Sequence, residues 1–348
     1  MILTNYLRYQ VLKPFLVISA GLITLFSGYM IARYLAQAAE GEIPVSVIGR
    51  LIFFRVLIAQ EVLLPTTFYF SIILALGRLY RDAEIVAMFA AGFSLSRIYR
   101  AILTLAVAVS LVVAIFSLKV RPWAWQEFFN LKAKAKASFD LKRLKAGVFY
   151  ELPEKKLFFA QELRPHERLA RKVFLYEKDK ALIRVVRAQT ACQKGSGAQL
   201  FLLLQKGRVY EFRPGQKMIM VSQFEELKLP LLLPEASPPQ KVKAEPTKAL
   251  FQNLNTENLA ELEWRFAAPL STFLLAFLGL VLSHTRPREG RFKRFPWAIL
   301  LFAAYFYSSA GLKKAVAQGA FPPLPGLYLT HLGLLVVALF LGYRMTRQ

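Results

Sequence analysis

The sequence predicts an α-helical membrane protein with six transmembrane helices and an all-β, jelly-roll-like extramembrane domain inserted between helices three and four. Two observations predict this class. The 348 residues are 55% hydrophobic, yet their formal net charge is +24, so apolar residues and charges must be segregated along the chain. Six long apolar runs then fall into two groups of three, and a central stretch of short segments separates the groups.

Each apolar run is close to the ~20 residues that a helix needs to cross a bilayer core. The runs cover approximately residues 14–36, 53–77, 101–120, 266–284, 295–312 and 327–343. The first run is longer than the core of a signal peptide, which has about 7 to 15 residues, and it ends in Arg33 and Tyr34. We therefore expect it to be a helix of the mature protein.

The short loops carry the charges that predict orientation. In a six-helix arrangement the basic residues of the first turn, of two short loops and of the tail all lie on one side of the membrane; they are Arg8, Lys13, Arg78, Arg81, Arg97, Arg100, Arg286, Arg288, Arg291, Lys293, Arg294, Arg344 and Arg347. Positive charge in short loops marks the cytoplasm. Both termini are therefore predicted to be cytoplasmic, and the large insert is predicted to lie on the outer side of the membrane.

The central segment, residues 123–260, has the pattern of a β domain. Eight short stretches alternate or run apolar, at residues 148–151, 157–162, 172–177, 181–189, 199–205, 208–212, 217–221 and 224–229. Turn residues separate them, among them Lys206-Gly207. An antiparallel sandwich or jelly roll is expected. Phe158 with Ala160, and Phe174 with Tyr176, would share strand faces, either in the core or along a lipid groove.

This pattern divides the chain into residues 1–122 with helices one to three, residues 123–260 with the β domain and its linkers, and residues 261–348 with helices four to six. Residues 231–248 contain four prolines and several lysines, which is typical of an extended connector.

Ionisable residues within or beside the apolar runs are candidates for lipid contact. Arg33, Lys313 and Lys314 are predicted at the outer ends of helices one and five, where they could either snorkel to the interface or bind phosphate. Arg55 and Glu61 lie deeper in helix two. Their separation of six residues does not place them on one helical face.

The stretch 79–92, LYRDAEIVAMFAAG, is a charged insert of short-helix size between two apolar runs. On one helix, Tyr80, Glu84 and Met88 repeat every four residues and share a face. A carboxylate between two bulky side chains could then dock in a basic groove of a partner, although Glu84 could also be an ordinary solvated glutamate.

Several chemistries have no sequence signature here. The chain contains no G-x-x-x-x-G-K-[ST], H-E-x-x-H or G-x-S-x-G motif and has one cysteine, and its three histidines are widely separated. We therefore expect neither catalysis nor a metal site. Because the basic chain is also strongly apolar, lipid is the expected anionic partner and nucleic acid is not. A secondary transporter and a membrane-anchored scaffold are the rival classes; neither explains both six helices and a β insert.

The ordered motifs resemble those of the LptF/LptG family of lipopolysaccharide export permeases over essentially the whole chain. The matching residues are Tyr6, Leu7, Arg33, Glu42, Ile43, Pro44, Leu79, Tyr80, Glu84, Ile85, Met88, Gly92, Ser94, Pro122, Trp123, residues 133–137, Glu261, Leu262, residues 264–266, residues 287–291, Leu312 and Lys313. Their order and spacing carry the resemblance. The Tyr80–Met88 pattern and Glu42-Ile43-Pro44 favour the LptF branch over the sister LptG branch.

This resemblance implies a non-catalytic subunit of an ABC transporter that extracts lipopolysaccharide from a bacterial inner membrane and passes it through the periplasmic jelly roll. The implied partners are an LptG-like second permease, an LptC-like membrane-anchored periplasmic protein, and an LptB-like ATPase dimer that uses ATP and Mg²⁺. No cofactor is expected on this chain itself.

The resemblance also implies roles for individual residues. The stretch 79–92 would be the coupling helix, with Tyr80, Glu84, Met88 and Gly92 at the ATPase contact. Arg33 and Lys313 would contact the phosphates of the lipid, and Lys314 adds a charge. Phe89 and Ala91 replace more polar family positions, which puts the fine specificity for the ATPase in question.

Overall fold

The computed structural model describes residues 2–40, 43–137, 141, 144–152, 156–164, 169–178, 182–194, 201–212, 218–230, 241–284 and 294–346. The chain forms two compact units. The helical unit comprises Met1–Tyr29, Ile52–Phe128 and Gln240–Gln348, and the β unit comprises Met30–Leu51 and Phe129–Pro239. Of the family-like residues, Glu42 and residues 287–291 lie outside the described residues. The predicted division at residues 122 and 260 stays a prediction.

Helices account for both ends of the chain. In the described residues they are α1 (Ile2–Ala39), α2 (Ile48–Arg81), α3 (Glu84–Ala90), α4 (Leu95–Ile115), α5 (Arg121–Ala137), α6 (Thr247–Gln252), α7 (Thr256–Leu282), α8 (Phe295–Ala317) and α9 (Tyr328–Thr346). The π-helical stretch Phe116–Val120 joins α4 to α5. All six apolar runs of the sequence therefore fall on helices.

The helices extend beyond the apolar runs that predict them. Helix α1, for example, has 38 residues and begins at Ile2, because polar residues outside a bilayer core can continue a helix. Among the described residues, four segments are long and apolar enough to cross a membrane: Ile2–Ala39, Leu95–Ala135, Thr256–Leu282 and Phe295–Ala317. Helices with the length and composition of membrane spans are thus present, and the total of six stays a prediction.

Helix α7 is the centre of the helical unit. In its apolar stretch 72% of the residues are buried, against 11% in that of α8, and α7 packs against α4, α8 and α9. A helix that is apolar on every side belongs in an interior. One apolar cluster joins α7 to α1, α2 and α4, and a second joins it to α2, α8 and α9.

The β unit contains one antiparallel sheet of six strands among the described residues. Its strands are β1 (Phe149–Leu152), β2 (Lys156–Arg164), β3 (Leu169–Lys178), β4 (Ile183–Lys194), β5 (Phe201–Phe212) and β6 (Met218–Pro230). Each strand pairs with the next in the chain. The described strands thus form one meander. In the expected sandwich or jelly roll, by contrast, the strands are distributed over two sheets. Alternation of apolar residues predicts strands correctly but does not determine which strands pair.

Strands β5 and β6 each combine two of the predicted stretches, and in β5 the predicted turn Lys206-Gly207 is absent. Both residues lie inside β5, where Gly207 pairs with Ala188 of β4 and with Phe224 of β6. A Cβ atom on Gly207 would be 2.3 Å from the carbonyl oxygen of Arg187 and 2.4 Å from the ring of Phe224. The glycine is required by this close approach of neighbouring strands.

The two faces of the sheet differ in character. Phe158 and Ala160 of β2 are buried in an apolar cluster with Val173, Leu175 and Val186, so the core interpretation of this pair is confirmed. Phe174 belongs to the opposite face, because it pairs with Phe159 and Arg187 rather than with core residues.

Candidate functional site

A buried group of charged side chains is the most concentrated polar feature of the helical unit. We call it the ion cluster and define it as Glu61, Arg121, Glu261, Arg265 and Lys313. Four helices contribute: α2, α5, α7 and α8. Charge inside or beside a membrane-spanning helix is costly, so such groups tend to be paired and functional.

Arg121 is the bridge of the ion cluster. It is the first residue of α5, directly after the π-helical stretch. Its Nε lies 2.8 Å from Oε2 of Glu61, and its Nη1 donates to Oε1 of Glu261. The three side chains are only 4–6% exposed. One guanidinium thus compensates two buried carboxylates that are 200 positions apart in the sequence.

Neutral donors complete the surroundings of Glu61. The Ser117 hydroxyl donates to its Oε1 at 2.6 Å, and the Trp264 indole Nε1 donates to its Oε2 at 3.2 Å. Ser117 lies in the π-helical stretch, so this irregular turn places both a hydroxyl and Arg121 beside the carboxylate. π-helical turns are often found at functional sites.

Arg265 ties the connector before α6 to α7. Its Nε donates to Oε1 of Glu261, one helical turn earlier, at 3.1 Å. Its Nη1 donates to the Thr247 hydroxyl at 2.9 Å, and its Nη2 donates to the carbonyl of Glu245 at 2.9 Å. The side chain is fully buried, and all three of its nitrogens have acceptors. In the same connector, burial and the charge of Arg121 lower the pKa of Lys243.

Lys313 joins α8 to the ion cluster. Its Nζ donates to Oε2 of Glu261 at 2.7 Å and lies 4.6 Å from the centroid of the Trp264 ring. Its side chain is 25% exposed, which makes it the most accessible member of the cluster. Of the predicted phosphate ligands, Lys313 is thus held by an internal carboxylate, whereas Lys314 and Arg33 are exposed.

The sequence did not indicate this network. Glu61 pairs with Arg121 rather than with Arg55, whose guanidinium carbon lies 5.1 Å from the centroids of both the Trp125 and Phe128 rings. Arg121 had no predicted role, and Glu261 entered only through the family resemblance. A usable signal was present, since Glu261, Glu263 and Arg265 directly precede the apolar part of α7.

The stretch 79–92 is folded differently from the single helix that its spacing suggests. Helix α2 ends at Arg81, and Ala83 adopts a left-handed conformation with φ 59° before the seven-residue α3 begins at Glu84. Gly92 has φ 78°, a conformation that glycine adopts without strain, and it ends the segment before α4. Because of this break, the prediction that Tyr80, Glu84 and Met88 share one face of a single helix is wrong.

The inward side chains of this stretch anchor it to the helical unit. Tyr80 and Met88 are each 6% exposed, and the Tyr80 hydroxyl lies 3.0 Å from Nδ1 of His284. Glu84 is half-buried and accepts a hydrogen bond of 2.6 Å from the Tyr6 hydroxyl. Tyr80 and Met88 therefore hold the segment in place, and Glu84 is oriented by α1.

The outward face of α3 is apolar. Val86 is 47% exposed and Phe89 is 40% exposed, and both lie on a helix of only seven residues. Arg81 and Asp82 form an exposed ion pair at its start. An exposed apolar face with a charged margin is typical of a contact surface for another protein.

The β unit has a concave surface on the face opposite its core, with a volume of about 1000 Å³. One row of side chains crosses it from strand to strand: Phe149, Phe159, Phe174, Arg187, Arg208 and Gln223. Three aromatic rings thus stand beside two directly paired arginines. Such a surface can accept both apolar and anionic groups.

The sequence is similar to known proteins over nearly its whole length. The family model for the lipopolysaccharide export system permease LptF/LptG matches residues 5–344. The lipopolysaccharide export system permease protein LptF of Escherichia coli strain K12 is 24% identical over 361 residues, which cover 98% of this chain and 94% of that protein. The LptF of Shigella flexneri has the same identity and coverage. The chain therefore belongs to the LptF/LptG family of lipopolysaccharide export permeases, a membrane-protein family with a role in lipopolysaccharide export.

Proposed function

We propose that this chain is the LptF-type permease subunit of an ATP-driven transporter, and that it extracts lipopolysaccharide from the inner membrane of a bacterium. Its membership of the permease family is the observation that carries this proposal. The relatives that match it are named LptF, which supports the LptF branch over the sister LptG branch. In this proposal both termini are cytoplasmic and the β unit is periplasmic, and the basic short loops support this orientation.

The coupling role is assigned to the stretch 79–92. Val86 and Phe89 would insert into a groove of an LptB-like ATPase dimer, which hydrolyses ATP with Mg²⁺. Glu84, oriented by Tyr6, would pair with an arginine of that ATPase and transmit closure of the nucleotide dimer to α2 and α4. The support is the combination of an anchored inner face and an exposed apolar outer face.

Lipid handling is assigned to both units. Arg33, Lys313 and Lys314 would contact lipid phosphates, and apolar helix surfaces would accept the acyl chains. The aromatic and arginine row of the β unit supports passage of an anionic amphiphile through that unit towards an LptC-like protein. A second permease of the LptG type would complete the cavity.

The test is affinity purification of this chain in mild detergent, with mass spectrometry of bound proteins and lipid. The wild type is compared with Glu84→Lys, with Phe89→Asp, and with Val45→Asp as a control in which a 68% exposed valine outside the coupling stretch gains the same charge. We expect an ATPase, a second permease and lipopolysaccharide with the wild type and with the control. The two coupling variants should lose the ATPase and keep the permease. Recovery of the chain without any ATPase in all four samples would refute the proposal.

A functional measurement separates docking from coupling. Glu84→Ala should keep the ATPase bound but reduce ATP-driven lipopolysaccharide release, because the carboxylate that transmits movement is missing. Unchanged release would remove Glu84 from the mechanism.

A double charge reversal, Arg33→Glu with Lys313→Glu, should weaken crosslinking to lipopolysaccharide, and unchanged crosslinking would remove both residues from the lipid site.

A further inference from the structure

The ammonium group of Lys313 is already neutralised by a carboxylate of its own chain. Nζ of Lys313 and Oε2 of Glu261 are 2.7 Å apart, and the Glu261 side chain is only 4% exposed. A lipid phosphate that binds Lys313 must therefore compete with Glu261. We propose that Glu261 is the internal counter-ion of Lys313, and that the phosphate of an anionic lipid replaces it during loading. This inference rests on the proposed function of Lys313 and adds Glu261 as a positioning residue.

The two oxygens of Glu261 have separate partners, which makes the exchange feasible. Oε1 receives Arg121 and Arg265, and Oε2 receives Lys313. When Lys313 leaves, Glu261 keeps two guanidinium partners and is not stranded as an uncompensated buried charge. A charge that is left buried without a partner is the usual reason that buried ion pairs resist separation.

Lys313 is the member of the ion cluster best suited to move. Its side chain is 25% exposed, whereas those of Arg121 and Arg265 are 6% and 0% exposed. A lysine carries a compact charge on a flexible stem of four carbons, whereas an arginine is held by its planar fork. The face of Trp264, 4.6 Å from Nζ, provides a second favourable contact for the ammonium group.

The charge balance of the ion cluster favours a further anion. Its five members comprise three cations, Arg121, Arg265 and Lys313, and two carboxylates, so they carry one excess positive charge. Phosphate oxygens accept hydrogen bonds from an ammonium group as strongly as carboxylate oxygens do. Exchange of Glu261 for phosphate at Lys313 therefore replaces one charge-assisted hydrogen bond with another and places an anion beside a cluster that carries an excess positive charge.

The test measures how fast the Lys313 amine reacts with a water-soluble amine reagent, by quantitative mass spectrometry of the purified detergent-solubilised complex. Glu261→Gln should raise the labelling rate several-fold, because the carboxylate that holds the amine is gone. Glu261→Asp is a second variant that keeps the charge beside the arginines but withdraws it from Lys313, so it should raise labelling even if Glu261→Gln impairs assembly. Glu263→Gln is the matched control, because Glu263 lies on the same helix but binds the backbone N–H of Leu327 instead of the cluster.

Ligand protection identifies the anion. Added lipopolysaccharide should protect Lys313 from labelling, and its apparent affinity should rise roughly tenfold in Glu261→Gln, because the internal competitor for a charge-assisted hydrogen bond is removed. Dephosphorylated lipopolysaccharide should not protect. Protection by inorganic phosphate alone would support the exchange and identify free phosphate as a sufficient ligand.

Two results would overturn the inference. One is a labelling rate of Lys313 that is the same in the wild type, Glu261→Gln and Glu261→Asp. The other is equal protection by phosphorylated and dephosphorylated lipid. ATP-driven lipopolysaccharide release, measured on the same wild-type preparation, reports on the proposed function separately. Normal release with unchanged labelling would therefore reject the counter-ion role of Glu261 alone.

Discussion

Replacement of Arg121 by methionine is the perturbation that probes the ion cluster most severely. The substitution keeps an unbranched side chain of similar length but removes the charge that Glu61 and Glu261 share. Glu261 retains ion pairs with Arg265 and Lys313, whereas Glu61 keeps the hydrogen bonds of Ser117 and Trp264 but no direct ion pair among the described residues. The damage should therefore be concentrated on Glu61.

The magnitude follows from the burial of the Glu61 carboxylate, which is 5% exposed. Removal of one partner from a buried ion pair typically costs about 3–5 kcal/mol, because the other charge is left uncompensated. We expect Arg121→Met to lower the free energy of unfolding by that amount. A second substitution, Glu61→Gln, should recover at least about 1 kcal/mol in the Arg121→Met background, because it removes the stranded charge.

The assay is chemical unfolding in mixed detergent micelles, followed by tryptophan fluorescence, since two of the four tryptophans, Trp125 and Trp264, contact side chains in or beside the ion cluster. Arg50→Met is the control, because Arg50 is exposed on α2 and its loss should change stability by less than about 0.5 kcal/mol. If Arg121→Met were as stable as this control, or if the double variant were no more stable than Arg121→Met, the proposed electrostatic role of Arg121 would be wrong.

Three further outcomes are expected. Gly207→Ala should destabilise the β unit by about 1–3 kcal/mol, because the new Cβ atom would meet the Arg187 carbonyl. Limited proteolysis would detect this as faster cleavage in residues 149–230. A cleavage rate equal to that of the wild type would contradict the prediction. Arg208→Glu should stabilise the same unit by about 0.2–1 kcal/mol, because Arg208 pairs directly with Arg187, and a lower melting temperature would contradict this. Tyr6→Phe should reduce lipopolysaccharide released per ATP hydrolysed, because Glu84 loses its 2.6 Å hydrogen bond, and an unchanged ratio would show that Tyr6 does not orient the carboxylate.

The sequence predicts the helices well because each is built from a long local apolar run. It predicts their ends poorly, since α1 and α2 continue well beyond the apolar residues. The strands of the β unit follow their alternation, but Lys206-Gly207 has turn composition and is placed inside β5 by contacts with β4 and β6. Those contacts are tertiary, so no local pattern contains them.

The candidate site is likewise only partly predictable from the sequence. The stretch 79–92 can be recognised from its charges between apolar runs, but the left-handed Ala83 that interrupts it has no sequence signature. The ion cluster depends on contacts between residues far apart in the chain, such as Glu61 with Arg121 and Arg121 with Glu261. Taken alone, each of these residues resembles an ordinary charged residue at a membrane interface. Only the fold brings them together.

The central claim is that this chain couples ATP hydrolysis in a partner to lipopolysaccharide release, and reconstitution tests it most directly. The chain would be placed in proteoliposomes with an LptG-type permease, an LptB-type ATPase and lipopolysaccharide, and release to a soluble acceptor would be measured with and without ATP. We predict ATP-dependent release with the wild type, and its loss both without this chain and with Phe89→Asp. Release that occurs without this chain, or that follows an ion gradient instead of ATP, would contradict the account.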